Sequence, residues 1–208
     1  IGSLKNNFNK ISNNKKKIVI YISQWMESEF IIDNKHYNNS SYSYPCDKIV
    51  IPVLIDFIKK NNYKLYILTR SEYDSDFENS EMKYFRETFS KNINFFAKNK
   101  YKNSYEIIDT ASIVTGIDST LLYESISRGN KTGIFSFRGK LLKLKGFGYG
   151  WPSNNQDNGE FWTNLPDTNK VKNILHYLHS ISFNDLKLTY KKNKTEDILY
   201  YDYNNTNA

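Results

Sequence analysis

A chain of 208 residues can bury a sizeable core and suits one domain, or at most two small ones. Its 29 Lys and Arg against 22 Asp and Glu leave a net charge of +7, which admits nucleic acid or an anionic membrane surface as partners. A single cysteine, Cys46, excludes an internal disulfide framework and points to a reducing compartment; no Cys/His cluster has zinc-ligand spacing and no apolar run has transmembrane length, so a soluble or membrane-peripheral chain is expected, with no metal.

Residues 1–14 are polar and Asn-rich and read as a linker or the end of a preceding element; a chain starting at Ile1 reads as a fragment. The run Lys15-Lys16-Lys17 reads as a solvated edge, with attraction to an anionic leaflet as the other reading. Lys17 to Ser23 is a short apolar run dominated by β-branched residues, the pattern of a strand covered on both faces. Gln24 to Tyr44 reads as a long polar connection. Gln24 and His36 are candidate binding groups there, because loops after buried strands often carry them, although a lone loop histidine is more simply solvated. From Asp47 onward Ile49, Val50, Val53, Leu54, Phe57 and Ile58 repeat on one helical face, with Asp47 as N-cap and Lys59-Lys60 at the negative end of the dipole. Pro52 moves the expected start toward residue 51.

Tyr63 to Thr69 reads as the second strand. Arg70 follows at its carboxyl end, where a fork of donors could reach a phosphate or carboxylate, or pair on the surface with Glu72 or Asp74. Residues 72–91 turn from acidic to amphipathic, with Met82, Phe85 and Phe89 at helical spacing, and Ile93 to Ala97 reads as a third strand. Ser104 caps a short helix, Tyr105 to Thr110, and Ile113-Val114-Thr115, entered through Ser112, is the fourth strand. A turn at Asp118-Ser119-Thr120 opens a helix that carries Leu121, Leu122 and Ile126 inward and closes at Gly129; Thr132 to Phe137 is the fifth strand. Residues 146–164 are too rich in Gly, Asn and aromatics for a regular element, and Trp151, Phe161 and Trp162 suit an ordered loop able to cover a ligand. Asp167 caps a last helix with the face Val171, Ile174, Leu175 and Leu178. The expected division is a linker over 1–14, one domain over 15–190 and a poorly ordered tail over 191–208. Strand, helix and strand at this cadence imply right-handed crossovers and a parallel sheet, so the expected fold is a Rossmann-like, doubly wound α/β unit.

The turn after the fourth strand carries the chemistry. Free N–H groups of the helix's first turn, the hydroxyls of Ser119 and Thr120 and the positive end of the dipole together suit a phosphate or diphosphate. Glu124, one turn on, could accept hydrogen bonds from the vicinal hydroxyls of a sugar. The plainer alternative is that Ser119 only caps the helix and Glu124 faces solvent. No P-loop and no dinucleotide glycine fingerprint is present, which disfavours NTP hydrolysis and NAD chemistry.

The segments Ile107-Ile108-Asp109, Asp118 through Ser125, Arg128-Gly129-Asn130-Lys131 and Phe135-Ser136-Phe137-Arg138 resemble the donor-side, C-terminal half of GT-B-type glycosyltransferases. More narrowly, with Ser23-Gln24-Trp25, Phe147 to Pro152 and Gly159 to Thr163, they resemble bacterial surface-carbohydrate biosynthesis proteins of the capsule and O-antigen type, some of which transfer Kdo from CMP-Kdo. The resemblance implies that Ser119 and Thr120 contact the nucleotide's phosphate and Glu124 its ribose, with Asp118, Arg138, Arg70 and Gln24 completing the nucleotide- and phosphate-binding set. It implies a nucleotide sugar as substrate with no separate cofactor, a glycan or lipid-linked acceptor, and a cytoplasmic enzyme that can touch the inner membrane. The acceptor site and catalytic base would lie in an N-terminal domain outside this chain, so no base is named. A nucleotide-sugar epimerase or a CDP-linked polyol-phosphate transferase would use the same fold. A non-catalytic scaffold is the reading from another class. A nucleic-acid binder, suggested by the aromatic and lysine residues of 95–101, is disfavoured because no recognised motif accompanies them.

Overall fold

The computed structural model describes residues 9–11, 14–96, 103–144 and 156–195. Strand β1 (Lys16–Ile22) forms the middle of the molecule because its last five residues, Ile18 to Ile22, are buried on both faces. Parallel to it run β4 (Lys64–Leu68) on one side and β6 (Ala111–Gly116) on the other, with β5 (Asn94–Phe95) and β7 (Thr132–Ile134) at the edges. The order β5-β4-β1-β6-β7 is that of a doubly wound α/β sheet, and it reverses direction between β1 and β6. Ile22 pairs with Leu68 on one side and Gly116 on the other, so three strands end level with one another at the carboxyl edge. Gly116 suits this close approach: a Cβ would stand 3.1 Å from the Ile22 carbonyl oxygen, tighter than side chains ordinarily pack.

Helices fill the crossovers. Between β1 and β4 lie a two-stranded hairpin, β2 (Phe30–Ile32) and β3 (Lys35–Tyr37), the short α1 (Asn39–Tyr42) and the long α2 (Tyr44–Asn61). Then come α3 (Asp76–Thr88), α4 (Ser104–Thr110), α5 (Thr120–Ser127), α6 (Arg138–Leu141), α7 (Thr168–Ser180) and α8 (Phe183–Lys192). Tyr21 of β1 faces α2 and α3, where it meets Asp47 and Phe85. On that face α7 packs against α2 and β7, while α4 and α5 contact each other and β6 across the sheet.

The structure bears out the α/β class and the parallel sheet, and it moves several boundaries. The connection from Gln24 to Tyr44 contains the hairpin and α1 instead of running unstructured. Its turn is Asp33-Asn34, both left-handed at φ 49° and 61°, a conformation these two residue types accept at low cost. Helix α2 starts at Tyr44, well before residue 51. Pro45 seeds its first turn, and the interior Pro52 lies on the solvent side, as does Lys48, whose carbonyl loses its partner. The third strand shortens to Asn94–Phe95, with Ala97 outside the described residues. The fifth ends at Ile134, because Phe137 turns back to donate its N–H to the Phe135 carbonyl. Of the aromatic loop, Trp151 and residues 145–155 lie outside the described set. Phe161 to Thr163 do add a bridge beside β7: Ile134 N donates to Phe161 O at 2.9 Å and Thr163 N to Ile134 O at 2.9 Å. Helix α8 continues through Lys192, past residue 190, and residues 196–208 lie outside the described set.

Candidate functional site

The carboxyl edge of the sheet opens into a cavity of about 560 Å³ at the switch between β1 and β6. Its wall is built from the ends of four strands: Gln24, Met26, Glu27 and Ser28 after β1, Arg70 after β4, Asp118 after β6 and Arg138 after β7, with Phe30 and Tyr42 closing one side. Local hydrogen bonds fix the backbone after β1. Ser23 N donates to Leu68 O at 3.0 Å, the Ser23 hydroxyl accepts from Trp25 N at 3.2 Å, and Ser43 Oγ donates to Gln24 O at 2.8 Å. The side-chain amide of Asn39 acts as a substitute strand for Met26, accepting from its N–H at 2.9 Å and donating to its carbonyl at 2.8 Å.

Arg70 is set by α3. Glu81, fully buried, accepts the backbone N–H of Arg70 and of Ser71, each at 3.2 Å. Glu78, buried one turn earlier, accepts from the Thr69 hydroxyl and the Asp74 N–H, both at 2.8 Å. Two carboxylates thus hold the loop after β4 from beneath, and the Arg70 side chain stays exposed with one donor on Trp25 O at 3.3 Å. Burial pushes the Glu81 carboxyl above the usual range, against the pull of those N–H groups.

Arg138 and Asp118 form the floor. Asp118 sits in the left-handed region at φ 50°, which turns its carboxylate away from the path of β6 and toward α6. Both side chains are almost completely buried, 2% exposed for Asp118 and 3% for Arg138, and Arg138 Nε stands 3.7 Å from Asp118 Oδ2. That spacing is close enough to attract and too long for a hydrogen bond. The guanidinium also lies over the Tyr42 ring, 4.2 Å from its centroid. Burial raises the Asp118 carboxyl above its ordinary value, and Arg138 recovers only part of that shift. For Arg138, burial is the largest single influence and works against the charge, yet Asp118, Cys46 and Tyr42 together outweigh it and the guanidinium is held above its usual range.

A protein-family profile described as "putative O-antigen biosynthesis protein" matches residues 1–208. The chain belongs to this family. No curated protein matches its sequence. Among solved structures it is similar to the wall teichoic acid polymerase TagF, at 14% identity and a TM-score of 0.45, over 93% of this chain and 41% of that one. Two histidine variants of the same polymerase match at 16% and 14% identity, with TM-scores of 0.45 and 0.43, covering 93% and 90% of this chain and 41% and 43% of theirs. The chain therefore spans about two-fifths of the length of the solved structures it matches.

In this O-antigen family member the structure brings together four of the residues nominated from sequence, Gln24, Arg70, Asp118 and Arg138. Ser119, Thr120 and Glu124 do not line the cavity. Ser119 is the N-cap of α5 without a side-chain cap bond, Thr120 is exposed, and Glu124 accepts a hydrogen bond from the Tyr105 hydroxyl at 3.1 Å. His36 lies exposed on β3. Arg128, part of the resembling segment, is instead an architectural group: it meets Asp109 in a bidentate, fully buried pair at 3.0 and 2.5 Å and also donates to the carbonyls of Asn9 and Lys10. Tyr42, Met26 and Phe30 lie in the connection that reads from sequence as a long polar loop, where the Asp33-Asn34 turn after Phe30-Ile31-Ile32 is the available signal for the hairpin. Two arginines facing a concave site at a strand-end crevice suit an anionic ligand, phosphate above all. Among the described residues no cluster of three or more His, Cys, Asp or Glu side chains could hold a metal ion, and no helix is long and apolar enough to cross a membrane.

Proposed function

We propose that the chain is the donor-binding domain of a glycosyltransferase that uses a nucleotide-activated sugar to build bacterial O-antigen. The observation that carries this reading is the cavity at the β1/β6 switch point, where Arg138 and Arg70 face the space in which α/β folds of this order place a phosphorylated ligand. Membership of an O-antigen biosynthesis family supplies the pathway context. In the reaction, negative charge grows on the departing nucleotide phosphate, and a preorganised guanidinium in a water-poor site stabilises that charge. Arg138 is the better placed of the two, because Tyr42 and Asp118 already fix its plane. We assign further contacts to the nucleotide's phosphate to Ser119 and Thr120, which follow Asp118 directly, and a contact to its ribose to Glu124. Acceptor binding and the catalytic base are assigned to a second domain.

Calorimetric titration with CMP, CDP and UDP tests the reading, followed by the sugar-bearing donors, CMP-Kdo among them. The wild-type chain is expected to bind at least one nucleotide, and Arg138→Gln to weaken that binding about tenfold or more, the scale of a lost charge-assisted hydrogen bond. A wild-type chain that binds none of the three nucleotides would sink the proposal.

A further inference from the structure

The floor of the cavity carries more hydrogen-bonding capacity than it uses. Both oxygens of Asp118, Arg138 Nε and the Ser136 hydroxyl are buried, and none makes a hydrogen bond of good geometry among the described residues, although the Ser136 hydroxyl lies close enough to Asp118 to pull its carboxyl's pKa down. Native proteins leave few such groups, since each costs free energy when it is neither hydrated nor paired. Here they gather at the ends of β6 and β7, and two of their side chains, Asp118 and Arg138, line the space where a ligand would sit. A fully packed ion pair would have closed to hydrogen-bond length; this one stands open at 3.7 Å.

We propose that Asp118 is a specificity-determining residue that selects a ligand bearing hydroxyl donors next to its phosphate. This rests on the nucleotide-sugar reading above and adds to it. The chemistry follows from the inventory of unmet groups. The Asp118 carboxylate keeps acceptor capacity beyond what the neighbouring Ser136 hydroxyl supplies, and the Arg138 Nε–H calls for an acceptor. A bare phosphate or pyrophosphate offers the acceptor alone and places its own negative charge against Asp118. A glycosyl or polyol phosphate offers both, its phosphate oxygen toward Arg138 and its hydroxyls donating to the carboxylate. Asp118 therefore holds the free nucleotide less tightly than the sugar-bearing one, which would favour donor over spent product in the same cavity.

The test compares binding of matched probes to the full chain by calorimetry: CDP against CDP-glucose and CDP-glycerol, and UDP against UDP-glucose. For wild type, at least one sugar- or polyol-bearing probe is expected to bind about tenfold tighter than its nucleotide alone, the scale of hydrogen bonds to a charged group. Asp118→Asn should bring that ratio close to one. Asparagine is the substitution of choice because it accepts the left-handed backbone at φ 50°. Where Asp118→Asn does not fold, deoxyfluoro analogues of the preferred probe give the answer on the wild-type protein, because fluorine cannot donate to a carboxylate and at least one position should lose the gain. An unchanged ratio in the variant, a wild-type ratio of one for every probe, or no loss with any fluorinated analogue would each overturn the proposal while leaving nucleotide binding intact. Failure of the wild-type chain to bind any nucleotide would instead remove the reading on which it rests.

Discussion

Asp47 shows how a single buried carboxyl couples the core to the site. It lies in the first turn of α2 and accepts the Tyr21 hydroxyl at 2.6 Å and the Tyr84 hydroxyl at 3.3 Å. Burial pushes its pKa up to about 7, against the pull of those hydroxyls and of Arg138. Unfolded, the same group would titrate near 4, the ordinary range for aspartate. The folded chain therefore holds this proton more tightly than the unfolded one. The contribution to stability is complete below about pH 4 and is lost as pH rises through the folded value. Glu81 and Asp118, both raised by burial, act in the same direction. Asp47→Asn fixes a neutral group of nearly the same volume, so its thermal midpoint should fall less than that of wild type between about pH 5 and about pH 8. Melting curves at both pH values check this; equal falls in the two proteins would assign the pH dependence elsewhere.

At the scale of elements, α3 acts as a cradle for the loop after β4. Glu81→Ala would leave two backbone N–H groups, of Arg70 and Ser71, without their buried acceptor, a loss of about 2 kcal/mol or more. Denaturant unfolding measures that cost, and nucleotide titration should show weaker binding as Arg70 loses its position; a stability change under about 0.5 kcal/mol would mean that water replaces the carboxylate easily. None of this was legible beforehand, since Glu78 and Glu81 in a helical stretch look like an ordinary solvated face, and only the fold places the β4 loop over them. Where local pattern and burial coincide, the sequence was readable. Ile18 to Ile22 is apolar because both faces of β1 are covered, and Asp167 caps α7 with its side chain on Asn169 N at 2.8 Å. The hairpin was unreadable for the opposite reason: strands of three residues carry almost no periodicity, so the Asp33-Asn34 turn had to speak for the whole unit. Arg138 and Asp118 each stand out singly in the sequence, but nothing local to Tyr42 signals that it stacks on Arg138, 96 positions later in the chain.

Across the whole molecule the surplus of positive charge is less available than +7 suggests. Arg128 is held by Asp109, Lys131 by the Ile181 carbonyl, Lys192 by Glu160, and Lys140 by Asp157. Lys15 contacts Asn130 on the amino side of the sheet, where burial lowers its pKa to about 8. Cations that face the cavity are therefore of two kinds, the buried Arg138 and the exposed Arg70, and salt should tell them apart. Raising ionic strength from about 0.01 M to about 1 M shortens the screening length from about 30 Å to about 3 Å, which weakens an exposed charge far more than a buried one. Nucleotide affinity of the wild-type chain should fall several-fold across that range, while Arg70→Gln binds more weakly at low salt and loses little further as salt rises. A titration series at four or five salt concentrations reads both slopes. If the Arg70→Gln slope stays as steep as that of wild type, the attraction arises from the dispersed surface charge, and the cavity's two arginines do not divide the work between steering and holding.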